Sequence, residues 1–293
     1  RLVQLSPPVA DLELRVADRL VILTGSFEPN QPYKLEIGHA PIADKDRRLM
    51  RDPGGTSVHA LFEPPTPFLR WSAASGVVEL HGPQQLPLVG RAEGQVDLRV
   101  HKIDALDRSF WPFPERPVRV DEQRAPLGPG EAPLPFTDPA RHPDAEKIAV
   151  HIRGLGSPMF SGITALPLGQ FRGGARFGLD LGQLLAKAGK PLTLGTYLVG
   201  IRRLSGPPVR SWMRVQVTDI ALTTAEVADD LRVLVTSLNS GEPKVGATVR
   251  VSGWQRHNDQ NRWTTFLQRQ VGENGAFDWR VEGDPPESEV MRI

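Results

Sequence analysis

Polar and apolar residues alternate from the first dozen positions. Asp11-Leu-Glu-Leu-Arg-Val16 sends every second side chain to an apolar face, Ala17-Asp-Arg19 supplies a turn, and the apolar run Leu20-Val-Ile-Leu23 follows, which predicts a β-hairpin. A Gly- and Pro-bearing turn at 25–32 leads to Tyr33-Lys-Leu-Glu-Ile37, a third strand with Tyr33, Leu35 and Ile37 on one face. After the charged loop 44–48 and the turn 53–55, Thr56 to Phe62 reads as a further strand, and Pro64-Pro65 marks a domain boundary.

Short strands continue over Phe68 to Trp71, Gly76 to Leu80 and Gln95 to Ile103. Val96, Leu98, Val100 and Lys102 share one face of the last, which predicts a half-solvated strand. From about 107 to 146 the alternation gives way to Phe110-Trp-Pro-Phe-Pro114 and a run of prolines through 135, read as an extended Pro-rich insertion. Lys147 to Ile152 and Gly162 to Leu168 read as strands. One helix is predicted over Leu179 to Ala188, where Leu181, Leu184, Leu185 and Ala188 recur at helical spacing and Gly189 with Pro191 ends it. Gly195 to Arg203 and Ser211 to Thr218 form a pair around Gly206-Pro-Pro208. Beyond Asp219, Leu231 to Leu238 and Ala247 to Trp254 flank a turn with Gly241 and Pro243, which suggests an antiparallel pair. The expected fold class is therefore all-β: tandem immunoglobulin- or fibronectin-like antiparallel β-sandwiches with one short helix.

Composition agrees. The chain has 293 residues, room for two or three cores, and its 28 Gly and 28 Pro leave few windows for long helices. Its 35 Lys and Arg balance 34 Asp and Glu, so no field attracts nucleic acid. It has no Cys, which excludes disulfides and a thiolate centre, and no apolar stretch long enough to span a membrane as a helix. A first residue other than Met and a last segment that reads as a strand suggest a piece of something larger.

Candidate chemistry is sparse. His39, His59, His81, His101, His142, His151 and His257 stand singly, without metal-ligand spacing. No serine lies in a G-x-S-x-G elbow, the Gly pairs lack the following Lys of a phosphate loop, and residues 257–262 lack calcium-loop spacing. No cofactor, metal or catalytic residue is expected. Trp71, Trp212, Trp254 and Trp279 sit on or beside predicted strands, as packing residues do. The Pro-fixed aromatic loop is the candidate contact: Phe110, Trp111 and Phe113 are expected to dock on a neighbouring domain or a protein partner. An exposed Trp111 would equally suit a carbohydrate-binding or surface adhesin module.

The residues from 195 onward resemble the macroglobulin-like domains of bacterial alpha-2-macroglobulins, periplasmic relatives of eukaryotic protease traps. The resemblance lies in Gly195-Thr-Tyr197, Val217-Thr-Asp219, Leu231 to Val251 with its Gly-x-Pro turn and Gly246-Ala247 step, and Gly272-Glu-Asn-Gly275. Upstream, Leu86-Pro-Leu88 and the strand through Ile103 are similar. It implies macroglobulin-like sandwiches at 1–66, 67–219 (with the insertion) and 220–293. It further implies a framework fragment of a broad-spectrum endopeptidase inhibitor, not an enzyme, periplasmic and in full length anchored to the inner membrane as a lipoprotein. Implied partners are target proteases, neighbouring macroglobulin-like domains and a cell-wall synthesis enzyme. The family's thioester requires a Cys that is missing here, so no reactive centre carries over.

Overall fold

The alternating segments fold as strands, almost all of them antiparallel. The computed structural model describes residues 3–17, 20–37, 56–64, 66–111, 113–123, 145–169, 173–227, 230–257, 260–280 and 291–292. The expected loop at 44–48, the turn at 53–55, Pro65, the proline run at 124–139, the tip at 258–259 and the side chain of Trp254 lie outside them. Two compact units are present, Arg1–Thr66 and Pro67–Ile293.

In the first unit β1 (Val3–Ser6), β2 (Glu13–Ala17), β3 (Leu20–Thr24), β4 (Pro32–Ile37) and β5 (Thr56–Leu61) make a sheet of order β1-β4-β5 and the β2-β3 hairpin. Tyr33 is buried, with Leu35 and Ile37 half-buried on the same face. Phe27, Tyr33 and Phe62 pack as a trio, ring centroids 4.7–5.9 Å apart, and the Glu28 N–H donates to Tyr33 Oη at 2.7 Å.

The second unit opens with β6 (Phe68–Trp71), β7 (Ser75–Glu79), β8 (Gln85–Arg91) and β9 (Gln95–Ile103). A 3-10 turn (Arg108–Phe110), β10 (Val118–Asp121), α1 (Ala145–Arg153), β11 (Phe160–Ala165), β12 (Ala175–Asp180), α2 (Leu181–Lys187), β13 (Gly195–Arg203) and β14 (Val209–Thr218) follow. One sheet runs β10-β14-β13-β9-β11, and β7 joins β14 in parallel beyond the end of β10. The smaller sheet β12-β8-β6 closes over it. Leu86 and Leu88 there meet Val96, Leu98, Val100, Tyr197, Val199, Met213 and Val215, with Leu181 and Leu185 of α2 in the same core. The Trp71 indole N–H donates to the Ser211 carbonyl at 2.9 Å and ties the layers.

The final part holds β15 (Ile220–Val227), β16 (Asp230–Ser237), β17 (Thr248–His257), β18 (Gln260–Gln270), β19 (Ala276–Arg280) and β20 (Met291–Arg292). They form sheets β15-β16-β19 and β18-β17-β20. Leu231, Val233 and Val235 of the first share one core with Val249 of the second and with Val271.

Four expectations are corrected. Lys147 to Ile152 is helical rather than extended. Its β-branched residues suggest a strand, but Ile148 and Ile152, one turn apart, are both buried against Val118 and Val120, and Glu146 with Arg153 suits the helix dipole. Among its described residues the unit thus has two α-helices, not one. The insertion read over 107–146 is not all loop, since it contributes β10. Leu231 to Leu238 and Ala247 to Trp254 do not pair: β16 and β17 belong to different sheets, so the Gly241-Pro243 connection crosses the sandwich. Finally, β9 is covered on both faces, because Asp97 and His101 are buried along with Val96, Leu98 and Val100.

Tyr197, the aromatic residue of the Gly-x-Tyr motif, is wholly buried. Its hydroxyl donates to the Thr193 carbonyl at 2.7 Å and accepts from the Thr193 N–H at 3.2 Å, locking the corner into β13. Tyr197→Phe leaves both groups unmatched and is expected to lower stability by about 1 kcal/mol in denaturant titrations, with the fold retained.

Candidate functional site

The polar face of β9 is where chemistry concentrates. In β-strand register Asp97 lies opposite Arg202 of β13, and Gly200 lies between Arg99 and Trp212 on its two neighbours. The absent side chain matters: a Cβ at Gly200 would stand 2.6 Å from Arg210 Cδ and 2.6 Å from Trp212 Cε3. The space goes to the Arg210 side chain, which has no exposed surface. Its Nη2 donates to Asp97 Oδ2 at 2.8 Å, its Nε to Glu122 Oε1 at 2.6 Å, and its Nη1 to the carbonyls of Asp97 (2.8 Å) and Gly200 (3.2 Å). Arg202 holds Asp97 Oδ2 from the side at 2.7 Å, and Arg99 reaches Glu122 Oε1 at 2.7 Å. Arg203 pairs with Glu93 nearby.

Burial pushes the Asp97 carboxyl up, but hydrogen bonds from Arg210 and then Arg202, with both charges, outweigh it and hold the group below its ordinary range. His101 on the same face lies 5.6 Å from the Trp212 ring. Burial first, then the Arg99 and Arg210 charges, depress it and keep the imidazole neutral at pH 7. The arrangement suits no acid–base catalysis: both carboxylates are committed to guanidinium groups. Among the described residues no group of His, Asp and Glu could hold a metal ion.

The aromatic loop divides its residues. Phe110 is 2% exposed and joins Val118, Ile148, Ile152, Leu198 and Trp212 in the core under α1, with its ring 6.1 Å from His151. Phe113 packs half-buried on that core. Trp111 turns away from it, its ring 6.0 Å from that of Trp263 on β18 in an edge-on arrangement. The half-buried indole is thus paired with another aromatic ring rather than standing open as a sugar platform.

The Thr218-Asp219 motif forms the joint between β14 and β15. The Asp219 carboxylate accepts from Ser237 Oγ at 3.0 Å, the Asn239 N–H at 3.1 Å and Lys244 Nζ at 2.5 Å. Three separated motif positions so converge on one carboxylate. Gly246 has nothing within 4 Å of a would-be Cβ; its role is the φ of +77°. The Lys244 hydrogen bond, ahead of burial's opposing effect, holds the Asp219 carboxyl below its ordinary range. A group depressed on folding stabilises fully above its unfolded value and loses that stabilisation as pH falls through the folded one. The stability gap between the native protein and Asp219→Asn is accordingly expected to be constant at neutral pH and to shrink below about pH 4 in parallel urea titrations.

Neither a protein-family model nor a curated protein matches the chain. Solved structures do. The crystal structure of native alpha-2-macroglobulin from Escherichia coli spanning domains MG0-NIE-MG1 matches 99% of this chain and 81% of its own, at 12% identity and a TM-score of 0.57. The chain has the MG0-NIE-MG1 fold. A cryo-EM reconstruction of the native E. coli protein agrees at a TM-score of 0.53 and 12% identity over 99% of this chain, and Salmonella alpha-2-macroglobulin at 0.51 and 11% over 96%. This chain spans 16% and 15% of those two, so the MG0-NIE-MG1 fold is a small share of them. The expected all-β class and the likeness to bacterial alpha-2-macroglobulin domains both agree with this match.

Proposed function

We propose that this chain is a framework segment of a bacterial alpha-2-macroglobulin, a protease inhibitor rather than an enzyme. The observation that carries this is the match to the native MG0-NIE-MG1 structure along 99% of the chain. The internal commitment of the charged residues supports it, because Asp97, Glu122 and Asp219 are spent on holding strands and joints together. On this reading the regions 1–66, 67–219 and 220–293 are successive modules. Phe110 and Phe113 brace the middle module, and Trp111 contacts the next one through Trp263. Target proteases are met by the whole protein, in the periplasm, and neighbouring domains are the direct partners of this segment. No described residue points to a cell-wall synthesis enzyme.

The test uses the full-length protein that contains this segment, mixed with an endopeptidase. Expected is a complex in which the protease still cleaves a small peptide substrate but is hindered on a large protein substrate. Unhindered cleavage of the large substrate, with no complex on gel filtration, removes the inhibitor role.

A further inference from the structure

Next to the ion cluster the covered face of the large sheet opens into a cleft of about 540 Å³ between β9, β10, β11 and the end of α1. That is the size of a small-molecule or short-peptide site. Its lining mixes apolar groups, Val120, Ile152, Leu155, Pro158 and the Trp212 ring, with the polar Arg99, His101, Arg153, Ser161, Asp121 and Glu122.

Two donors in this lining are unused: Arg153 Nε and Trp212 Nε1 are buried with no hydrogen-bond partner. Each is a group whose burial costs free energy until something accepts from it. The charge balance points the same way. Glu122 is already neutralised by Arg99, Arg202 and Arg210, and these three guanidinium groups against Glu122 and Asp97 leave one positive charge. Arg153 and Asp121 then offset each other. The C-terminal carbonyls of α1, which would repel an anion, are occupied by their own chain: Val150 and His151 accept from the Gly154 N–H, and Ile152 from Leu155.

We propose that this cleft binds the C-terminal carboxylate of a peptide whose last side chain is apolar. The surplus of one positive charge matches a monovalent carboxylate, whereas a phosphate would bring nearly two negative charges beside Asp121. Arg153 and the Trp212 indole N–H supply donors to the carboxylate. The apolar side chains of the lining take the last side chain, and Ser161, on β11 three strands from β14, bonds a peptide group further back along the ligand. This binding is independent of protease trapping, and either can fail without the other.

The experiment is a calorimetric titration of the 293-residue chain with an N-acetylated tripeptide ending in leucine. The same peptide as its C-terminal amide, and inorganic phosphate, are titrated separately. The free acid is expected to bind at least about tenfold more tightly than the amide, the worth of one charge-assisted contact. Arg153→Gln is expected to weaken the acid by about tenfold without changing the melting temperature. If that variant melts lower, Ser161→Ala, whose side chain is exposed, is expected to show about a threefold loss instead. Equal affinity for acid and amide, no binding of the acid, tighter binding of phosphate, or variants without effect each overturn the assignment.

Discussion

Arg210→Met is expected to lower the unfolding free energy of the second unit by about 3 kcal/mol, the cost of removing the wholly buried member of an ion cluster. The guanidinium has no exposed surface and uses all three nitrogens on Asp97, Glu122 and the Gly200 carbonyl, while the Asp97 and Glu122 side chains are only 12% and 18% exposed. Methionine fills much of the volume but donates nothing, leaving two buried carbonyls unmatched and two carboxylates held only by Arg202 and Arg99. Lysine would not rescue it, because a point charge cannot reach acceptors on three sides at once. Chemical denaturation of the native protein, Arg210→Met, Asp97→Asn and the double variant gives the coupling directly. If the double variant loses the sum of the single losses, the two residues are not interacting and this account of the cluster fails.

The second large effect is at Gly275, in the turn before β19. Its φ of +72° is costly for any residue with a Cβ, and a Cβ there would lie 2.8 Å from Pro243 Cβ and 2.9 Å from the Val235 carbonyl oxygen. Neither neighbour can yield: Pro243 bridges to Thr236, and the Gly275 carbonyl accepts from the Val235 N–H at 2.8 Å. Gly275→Ala is expected to cost about 2–4 kcal/mol from left-handed backbone strain and overpacking together. Gly241→Ala, also at positive φ (+73°) but with open space around it, is expected to cost only the strain, about 1 kcal/mol. Equal losses in the two variants would show that crowding at Gly275 is relieved.

The difference between what could be read from the chain and what could not has a physical pattern. Hairpins such as β2-β3 and β13-β14 were legible because alternation and a turn are both local. The helix α1 was not, since Ile148, Val150 and Ile152 also satisfy a strand, and only the packing of one turn's spacing against β10 decides. The ion cluster was hidden for a different reason. Polar residues at every second position of β9 look like a solvated face. The signal against this is the presence of Arg202 and Arg210 inside the later strands β13 and β14, opposite charges that need somewhere to go. Glu122, which completes the set, comes from a stretch whose prolines mask a short strand. Of the aromatic loop, sequence gave the residues but not their division, in which Phe110 faces inward and Trp111 meets Trp263.

The tie between Trp71 and Ser211 spans 140 positions, and β7, just after that tryptophan, completes the edge of β14. Loop closure on that scale comes late in folding. On a ribosome, β6 to β9 emerge with their leucines and valines uncovered and wait until β14 has been made. Nascent chains stalled anywhere before Thr218 should therefore bind holdase chaperones and be cut readily by protease, whereas release of a few further residues should protect the whole layer at once.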